Sequence, residues 1–284
     1  MTQLVLGLIG KGKWGQNYIK SVANLSDYCI LPEEYIKTRN YPDLFEKKDI
    51  DGVIIATPTS THYQIAKQFL EHKFNLLIEK PITKTYRQAL ELQSIWNKDS
   101  IIMAGHIQLY DPTYIELKKN LKKVGKIKKI IYRGLQSPVR DDATVLEDWG
   151  PHPIYIFLDI LGKPISVTGQ KMDSDNLLIE FKFKKDTIAT SEIGWTYPER
   201  KRELIVVGEN GSIILDGNTA IKRLYFRSLK DKEEEITFPN LRSALEQEVL
   251  EFVDSIKNKR IPMTSIEQGV EVTKAIDLIQ KDLL

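Results

Sequence analysis

Cysteine is almost missing from this chain. Cys29 is alone among 284 residues, which excludes an internal disulfide and a cysteine-based zinc cage and fits a reducing compartment. Neither His62 nor His106 has companions at metal-ligand spacing, so no metal is expected. An excess of one charge is missing too. With 41 basic against 39 acidic residues, no global field draws the protein toward nucleic acid or an anionic membrane. The basic cluster from Lys118 to Lys129 reads as a solvated helix face followed by a turn at Gly125, and the acidic run Asp231 to Glu235 as a solvated loop. Nothing approaches the roughly 20 apolar residues of a membrane helix. The opening MTQLVLGLIGKGKWG has too short an apolar run for a signal-peptide core and lacks a small-residue cleavage site. A cytoplasmic protein with a small-molecule partner, binding neither nucleic acid nor membrane, is therefore expected. Repeats and low-complexity linkers are also absent. With 42% hydrophobic residues, a chain of this length can bury a large core, and two medium domains are expected.

What is present falls into two textures. From the start to about Ile107, apolar runs alternate with helical patterns. Strands are expected at Leu4 to Ile9, Gly52 to Ala56, Phe74 to Ile78 and Ile101 to Ala104, and helices at Gln16 to Asn24, His62 to His72 and Tyr86 to Asn97. That alternation predicts a parallel sheet wrapped by helices. From Ile127 the runs KIKKIIYRG, NLLIEFKFKKDTIATSEIGW, RELIVVGENGSIILDG and IKRLYFRSL read as strands joined by turn signals such as Asp216-Gly217, which predicts an antiparallel sheet. Two amphipathic helices separated by Pro262 close the chain.

The spacing Gly10-x-Gly12-x-x-Gly15 directly follows the first strand and opens a helix. Gly10 suits a tight turn, Gly12 lets a pyrophosphate approach the backbone, and Gly15 lets helix and strand pack closely, with the anion at the helix N-terminus. The bland reading is a glycine-rich turn without a ligand; Lys11 adds positive charge against it. Lys13 and Trp14 open the helix, and the Trp14 amide is expected to face phosphate while its indole packs. This dinucleotide-binding (Rossmann) pattern also calls for an acid near the end of the second strand. Taking Tyr28 to Leu31 as that strand makes Glu33 or Glu34 the ribose candidate. The next strand-like run, Tyr35 to Lys37, follows too soon for a crossover helix, so the adenosine-side edge is expected to be trimmed. Glu33 or Glu34 would favour NAD, and Lys37 or Arg39 would meet the extra phosphate of NADP; both cofactors stay open.

Two further places carry chemistry. Lys80, in LLIEKPIT, lies just past the carboxyl end of a buried strand, where open α/β sheets bind ligands. A partly shielded lysine there can polarise a carbonyl or exchange a proton with a hydroxyl, and Pro81 would fix the turn, in cis or trans. The competing reading is a surface lysine paired with Glu79. In VLEDWGPHPIYIFLDILG, Asp148 is a good N-cap, Pro151 fits a first helical turn, and Gly162 is a natural stop. The same spacing places Asp148 and His152 about one turn apart, near enough to aim at one bound molecule.

These motifs together resemble the glucose-fructose oxidoreductase / inositol dehydrogenase / MocA family. The resemblance runs from GKGKWG through DIDGVIIATPTSTH, Glu79-Lys80-Pro81, GHIQLYDP and DWGPH to ELIVVGENGSIILDG and the helical tail. It is strongest to the branch acting on nucleotide-linked sugars for surface polysaccharides. It implies a Rossmann domain over residues 1–108. A second α/β domain would follow over 109–284, with a large, mostly antiparallel open sheet, and the last helix would return near the first domain. One face of that sheet would serve the active site and the other a homo-oligomer, a dimer or tetramer. Carried over residue by residue, Lys80 would be the catalytic lysine, His152 the acid/base, and Asp148 the group that orients substrate and tunes the histidine. Thr57, Thr59, His62 and Glu79 would line the cofactor path. His106, Tyr110, Arg140 and Tyr197 would lie near the sugar. The alternatives are core roles for His62, His106 and His152, and an ion pair of Arg140 with Asp141 or Asp142. Pro153 departs from the family, which typically carries an acid after this histidine. The implied activity is NAD(P)-dependent hydride transfer at a sugar hydroxyl or ketone. The competing hypothesis is a sugar or nucleotide sensor without turnover, suggested by the trimmed edge.

Overall fold

The computed structural model describes residues 3–136, 138–141, 143–219, 221–239 and 242–284. In chain order the first part runs β1 (Leu4–Ile9), α1 (Lys13–Ala23), β2 (Cys29–Ile30), β3 (Ile36–Lys37), β4 (Gly52–Ile55), α2 (Thr59–Glu71), β5 (Leu76–Glu79), α3 (Tyr86–Ile95) and β6 (Ile102–Gly105). Next come α4 (Pro112–Asn120), β7 (Ile127–Leu135), α5 (Val145–Trp149), α6 (Pro151–Leu161), β8 (Ser166–Lys171), β9 (Asn176–Lys182) and β10 (Ile188–Gly194). The remainder is β11 (Lys201–Gly208), β12 (Gly211–Asp216), β13 (Arg223–Ser228), β14 (Glu233–Glu235), α7 (Ala244–Asn258) and α8 (Ile266–Leu283). Among the described residues no helix is long and apolar enough to cross a membrane.

The chain divides into two compact units, one comprising residues up to Tyr110 together with Arg242–Lys274, the other Asp111–Leu241 with Ala275–Leu284. The sequence boundary at 108/109 had placed residues 242–274 with the second domain. The reason for their return is visible in the first unit's sheet, which is parallel and ordered β2-β1-β4-β5-β6, with β3 also on β1. Its strands are continuous apolar runs, so both faces need cover. Val53, Ile55, Leu76, Ile78 and Ile102 pack with Ala66 and Phe69 of α2 on one face. On the other face Leu8, Ile54, Leu77 and Met103 are cross-strand neighbours. They pack with Tyr18 and Val22 of α1 and with Leu245, Val249 and Phe252 of α7. One helix cannot cover that row, so the chain brings back a second, each large side chain buried contributing about 1.5–3 kcal/mol. Gly52 is small for this reason: a Cβ there would sit 2.9 Å from the Phe252 ring. The returning segment also guards the sheet edge, since Ala104 N–H donates to Thr264 O at 2.7 Å.

The second unit is built on an eight-stranded sheet, ordered β14-β13-β12-β11-β7-β10-β9-β8 and antiparallel except between β7 and β10. Helix α4 packs on β12 and β13, and α5 on β9 and β10. Arg133 of β7 pairs with Glu192 of β10 at 3.5 Å and with Glu203 of β11 at 3.1 Å. The two textures read from the sequence, a parallel Rossmann sheet and a mostly antiparallel one, are the two sheets observed.

Candidate active site

In the first unit, the carboxyl ends of β1, β4, β5 and β6 carry Gly10, Thr57, Glu79-Lys80 and His106 to one edge of the sheet, the edge where such sheets bind ligands. The three glycines have different reasons to be glycine. Gly10 has φ +110°, and a Cβ there would lie 2.4 Å from Ala56 O. A Cβ on Gly15 would lie 2.0 Å from Gly10 O. Both are demanded by the protein's own packing. Gly12 is not: a Cβ there meets nothing within 4 Å. It is also the N-cap of α1 and offers no side-chain cap to that helix, whose first turn holds no acid. The backbone N–H groups of Lys13, Trp14 and Gly15 thus start an uncapped helix beside open space, a fit for a phosphate.

The adenosine side differs from the sequence reading. Strand β2 pairs with Leu4 and Val5, and β3 pairs with Leu8 and Ile9 on the same edge, also in parallel. They are one edge strand broken by the 3-10 turn Glu33–Tyr35. Gly10 N–H donates to Lys37 O at 2.9 Å, so the strand's phosphate-facing end is Lys37, followed by exposed Thr38 and Arg39. Glu33 and Glu34 sit in the turn. The Tyr35 carbonyl that closes it lies beside Gly7, about 10 Å of strand short of Gly10. The sequence reading ended the second strand before Glu33, whereas the edge strand runs on to Lys37.

Lys80 is buried, 8% exposed, which removes the surface-lysine reading. Its peptide bond to Pro81 is cis. Behind it His62 and His106 are 1% and 0% exposed. His62 faces two carbonyls, Pro81 O from Nδ1 at 2.9 Å and Thr57 O from Nε2 at 2.8 Å, so it ties the β4 and β5 loops together. Burial lowers its pKa, with the Lys80 charge acting in the same direction against the two carbonyl bonds. His106 Nδ1 meets Gln268 Oε1 at 2.8 Å. Burial lowers its pKa to about 4, and Lys80 again adds to the effect. Tyr110 is 4% exposed, its hydroxyl 2.8 Å from Thr264 Oγ1. Thr57 Oγ1 accepts from Thr61 Oγ1 at 2.7 Å, and Thr59 begins α2. His106 and Tyr110, taken as sugar neighbours from the sequence, are thus inside the unit.

In the second unit the DWGPH segment spans two helices. The N-cap is Thr144, in a capping box with Glu147, and it starts α5; Asp148 lies within that helix and is not the cap. A threonine and a glutamate three apart satisfy two orphan N–H groups reciprocally, which leaves the Asp148 carboxylate for other partners. It accepts from Arg140 Nη1 and from Trp195 Nε1, each at 3.2 Å. Among the described residues this is an ion pair of Arg140 with Asp148; Asp142, one of the two partners expected from the sequence, lies outside the described residues. Pro151 opens α6 and Gly162, at φ +75°, closes it. His152 Nδ1 lies 2.7 Å from Tyr155 Oη, with Tyr155 fully buried. Its ring meets Trp149 edge-on at 5.5 Å, and Arg202 stacks over Trp149 at 4.3 Å. Tyr197 is half-buried in the segment joining β10 to β11. Sequence reasoning missed Tyr155, Trp195 and Arg202. Tyr155 was hidden because it stands in an otherwise apolar helical face, and Trp195 because its partner is 47 residues away.

Comparison with known proteins finds one family across both parts of the chain. The family description "Oxidoreductase family, NAD-binding Rossmann fold" matches residues 31–106. Its companion, "Oxidoreductase family, C-terminal alpha/beta domain", matches residues 138–282; both are domains of the GFO_IDH_MocA family. Scyllo-inositol 2-dehydrogenase (NADP(+)) IolU of Bacillus subtilis is 24% identical over 82% of this chain and 78% of its own. Among solved structures, UDP-N-acetylglucosamine 3-dehydrogenase GnnA of Acidithiobacillus ferrooxidans superposes with TM-score 0.83 at 21% identity, covering both chains fully. KijD10, a 3-ketoreductase of Actinomadura kijaniata solved with TDP-benzene and NADP, gives 0.84 at 15% identity over 99% of this chain and 98% of its own.

Proposed function

Since this chain belongs to the Gfo/Idh/MocA oxidoreductase family, we propose that it transfers hydride between NADP(H) and a sugar hydroxyl or ketone. The sugar is nucleotide-linked and destined for a surface polysaccharide. The observation that carries the reading is Gly12, a glycine its own fold does not require, beside a helix start with no side-chain cap. The nicotinamide supplies or accepts the hydride. The chain's own residues do the rest. Lys13, Trp14 and Gly15 hold the pyrophosphate through their amides. Lys80, shielded and cationic, polarises the sugar oxygen. His152 takes the hydroxyl proton during oxidation and returns it during reduction, imidazole being the group whose ordinary pKa lies nearest neutral. Tyr155, on Nδ1, fixes where that imidazole stands, and Asp148, held by Arg140 and Trp195, orients the substrate and stabilises the charged imidazole.

NADP is favoured over NAD because the strand end nearest Gly10 carries Lys37 and Arg39, cations suited to a ribose phosphate. Support for nucleotide-linked sugars comes from the names of the structural neighbours above. A sensor that binds sugar alone is the second reading. Titrating the protein with NADPH and NADH, following nicotinamide fluorescence, separates them. Saturable binding with NADPH tighter supports the proposal, tighter NADH reverses the cofactor choice, and no signal with either favours the sensor.

A further inference from the structure

Behind Lys80 the first unit buries a second acid that the chemistry above does not use. Glu248, on α7, is 0% exposed among Leu245, Val249 and Phe252. Tyr18 of α1 stands between it and Glu79 of β5. Its Oη lies 2.9 Å from Glu79 Oε1 and 3.0 Å from Glu248 Oε1. A phenol has one proton to donate, so it satisfies one of these acceptors and needs a donor from the other side. Two facts decide the direction. Glu79 Oε2 also accepts the Lys80 backbone N–H at 3.1 Å, as a carboxylate would. Glu248 Oε2 is buried with no hydrogen-bond partner among the described residues. A bare buried carboxylate oxygen is costly, whereas a protonated acid loses far less.

We propose that Glu248 holds a proton that it donates to Tyr18, that Tyr18 donates in turn to Glu79, and that this chain fixes the Glu79 carboxylate against the Lys80 amide. Glu248 and Tyr18 are then positioning residues, acting on Lys80 through Glu79 and touching neither cofactor nor sugar. The titratable groups facing Glu248 are Tyr18 from α1, Glu79 from β5, and Tyr110 from the turn after β6. Burial raises the Glu248 pKa well above the carboxyl range, and the neighbouring Glu79 charge pushes it the same way against the Tyr18 bond. Burial likewise raises Tyr18, with both acids adding to it, so the phenol keeps its proton.

The role in turnover rests on the function proposed above; the proton itself does not, and the experiment reads the two apart. Infrared spectra of the whole protein, in ordinary and heavy water at about pH 8, are expected to show a protonated carboxyl band that shifts in heavy water. The band should be missing from Glu248→Gln. No such band, or one that survives Glu248→Gln, overturns the proposal whatever the enzyme's activity. Stability gives a second reading. The folded pKa is raised above the ordinary 4.5, so the unfolded chain releases this proton first and wild type loses stability as pH rises above that value. The advantage of Glu248→Gln in urea denaturation should therefore widen with pH, and a constant gap contradicts the proposal. A carboxamide offers the same donor to Tyr18, so failure of Glu248→Gln to fold would also contradict it. In turnover, Glu248→Leu and Tyr18→Phe should lower kcat about tenfold or more with cofactor affinity kept, and Glu248→Gln should recover most of the Glu248→Leu loss. Equal losses in Glu248→Gln and Glu248→Leu would reduce the chain to packing.

Discussion

At the scale of single residues, the glycines separate packing from ligand. Gly15→Ala must push a methyl to 2.0 Å from Gly10 O, and it should destabilise the protein by a few kcal/mol. Gly12→Ala places its methyl in open space, so thermal stability should be near that of wild type while cofactor affinity falls about tenfold or more. Melting curves and fluorescence titration of the two variants check this; a large loss of stability in Gly12→Ala would contradict it. His106 provides a pH test. Its folded pKa of about 4 lies below the ordinary 6.5, so between those values the unfolded chain binds more protons. The stability is whole above about 6.5 and is lost as pH falls toward about 4, on the order of 3 kcal/mol in all. His62 is lowered as well and acts with the same sign. Urea midpoints measured across that window should fall less steeply in His106→Gln than in wild type, and an unchanged slope would show that the proton is taken elsewhere.

At the scale of elements, the broken edge strand is where the structure adds most to the sequence. Replacing Lys37 and Arg39 by alanine should erase most of the preference for NADPH, about tenfold or more for the loss of a charge-assisted phosphate contact, with NADH affinity little changed. Equal losses for both cofactors would place these cations elsewhere. The strands β1, β4, β5 and β6 are legible in the sequence because each is a continuous apolar run. Strands β2 and β3 are two residues each; pieces that short have no periodicity, and only hydrogen bonds to β1 reveal that they form one edge. The acid-bearing helix was misread for a different reason. Thr144-x-x-Glu147 is a capping signature in plain view, yet Asp148 is also a cap-type residue, and residue type alone does not say which cap wins. Thr144→Ala should cost about 1 kcal/mol, measured by denaturation.

At the scale of the whole molecule, the returning helix α7 explains how a chain with a trimmed first unit still covers its sheet, and it delivers Glu248 behind the lysine-bearing strand. The resemblance implied only that the last helix would return near the first domain; the part played by α7 and by Glu248 was not legible, because the tail reads as amphipathic helix, and amphipathicity names a buried face without naming what buries it. The family, the two sheets and the positions of Gly12, Lys80 and His152 at the ends of their elements were legible, because those signals are local. The proposed activity joins residues that the sequence holds far apart, and one assay addresses it. Nicotinamide absorbance is followed after NADP-loaded protein is mixed with a panel of free and nucleotide-linked sugars, for wild type, Lys80→Ala and His152→Ala, with cofactor affinity measured in parallel. The account predicts hydride transfer by wild type, at least about a hundredfold less in each variant, and cofactor binding largely kept in both. Near-normal rates in either variant would contradict it.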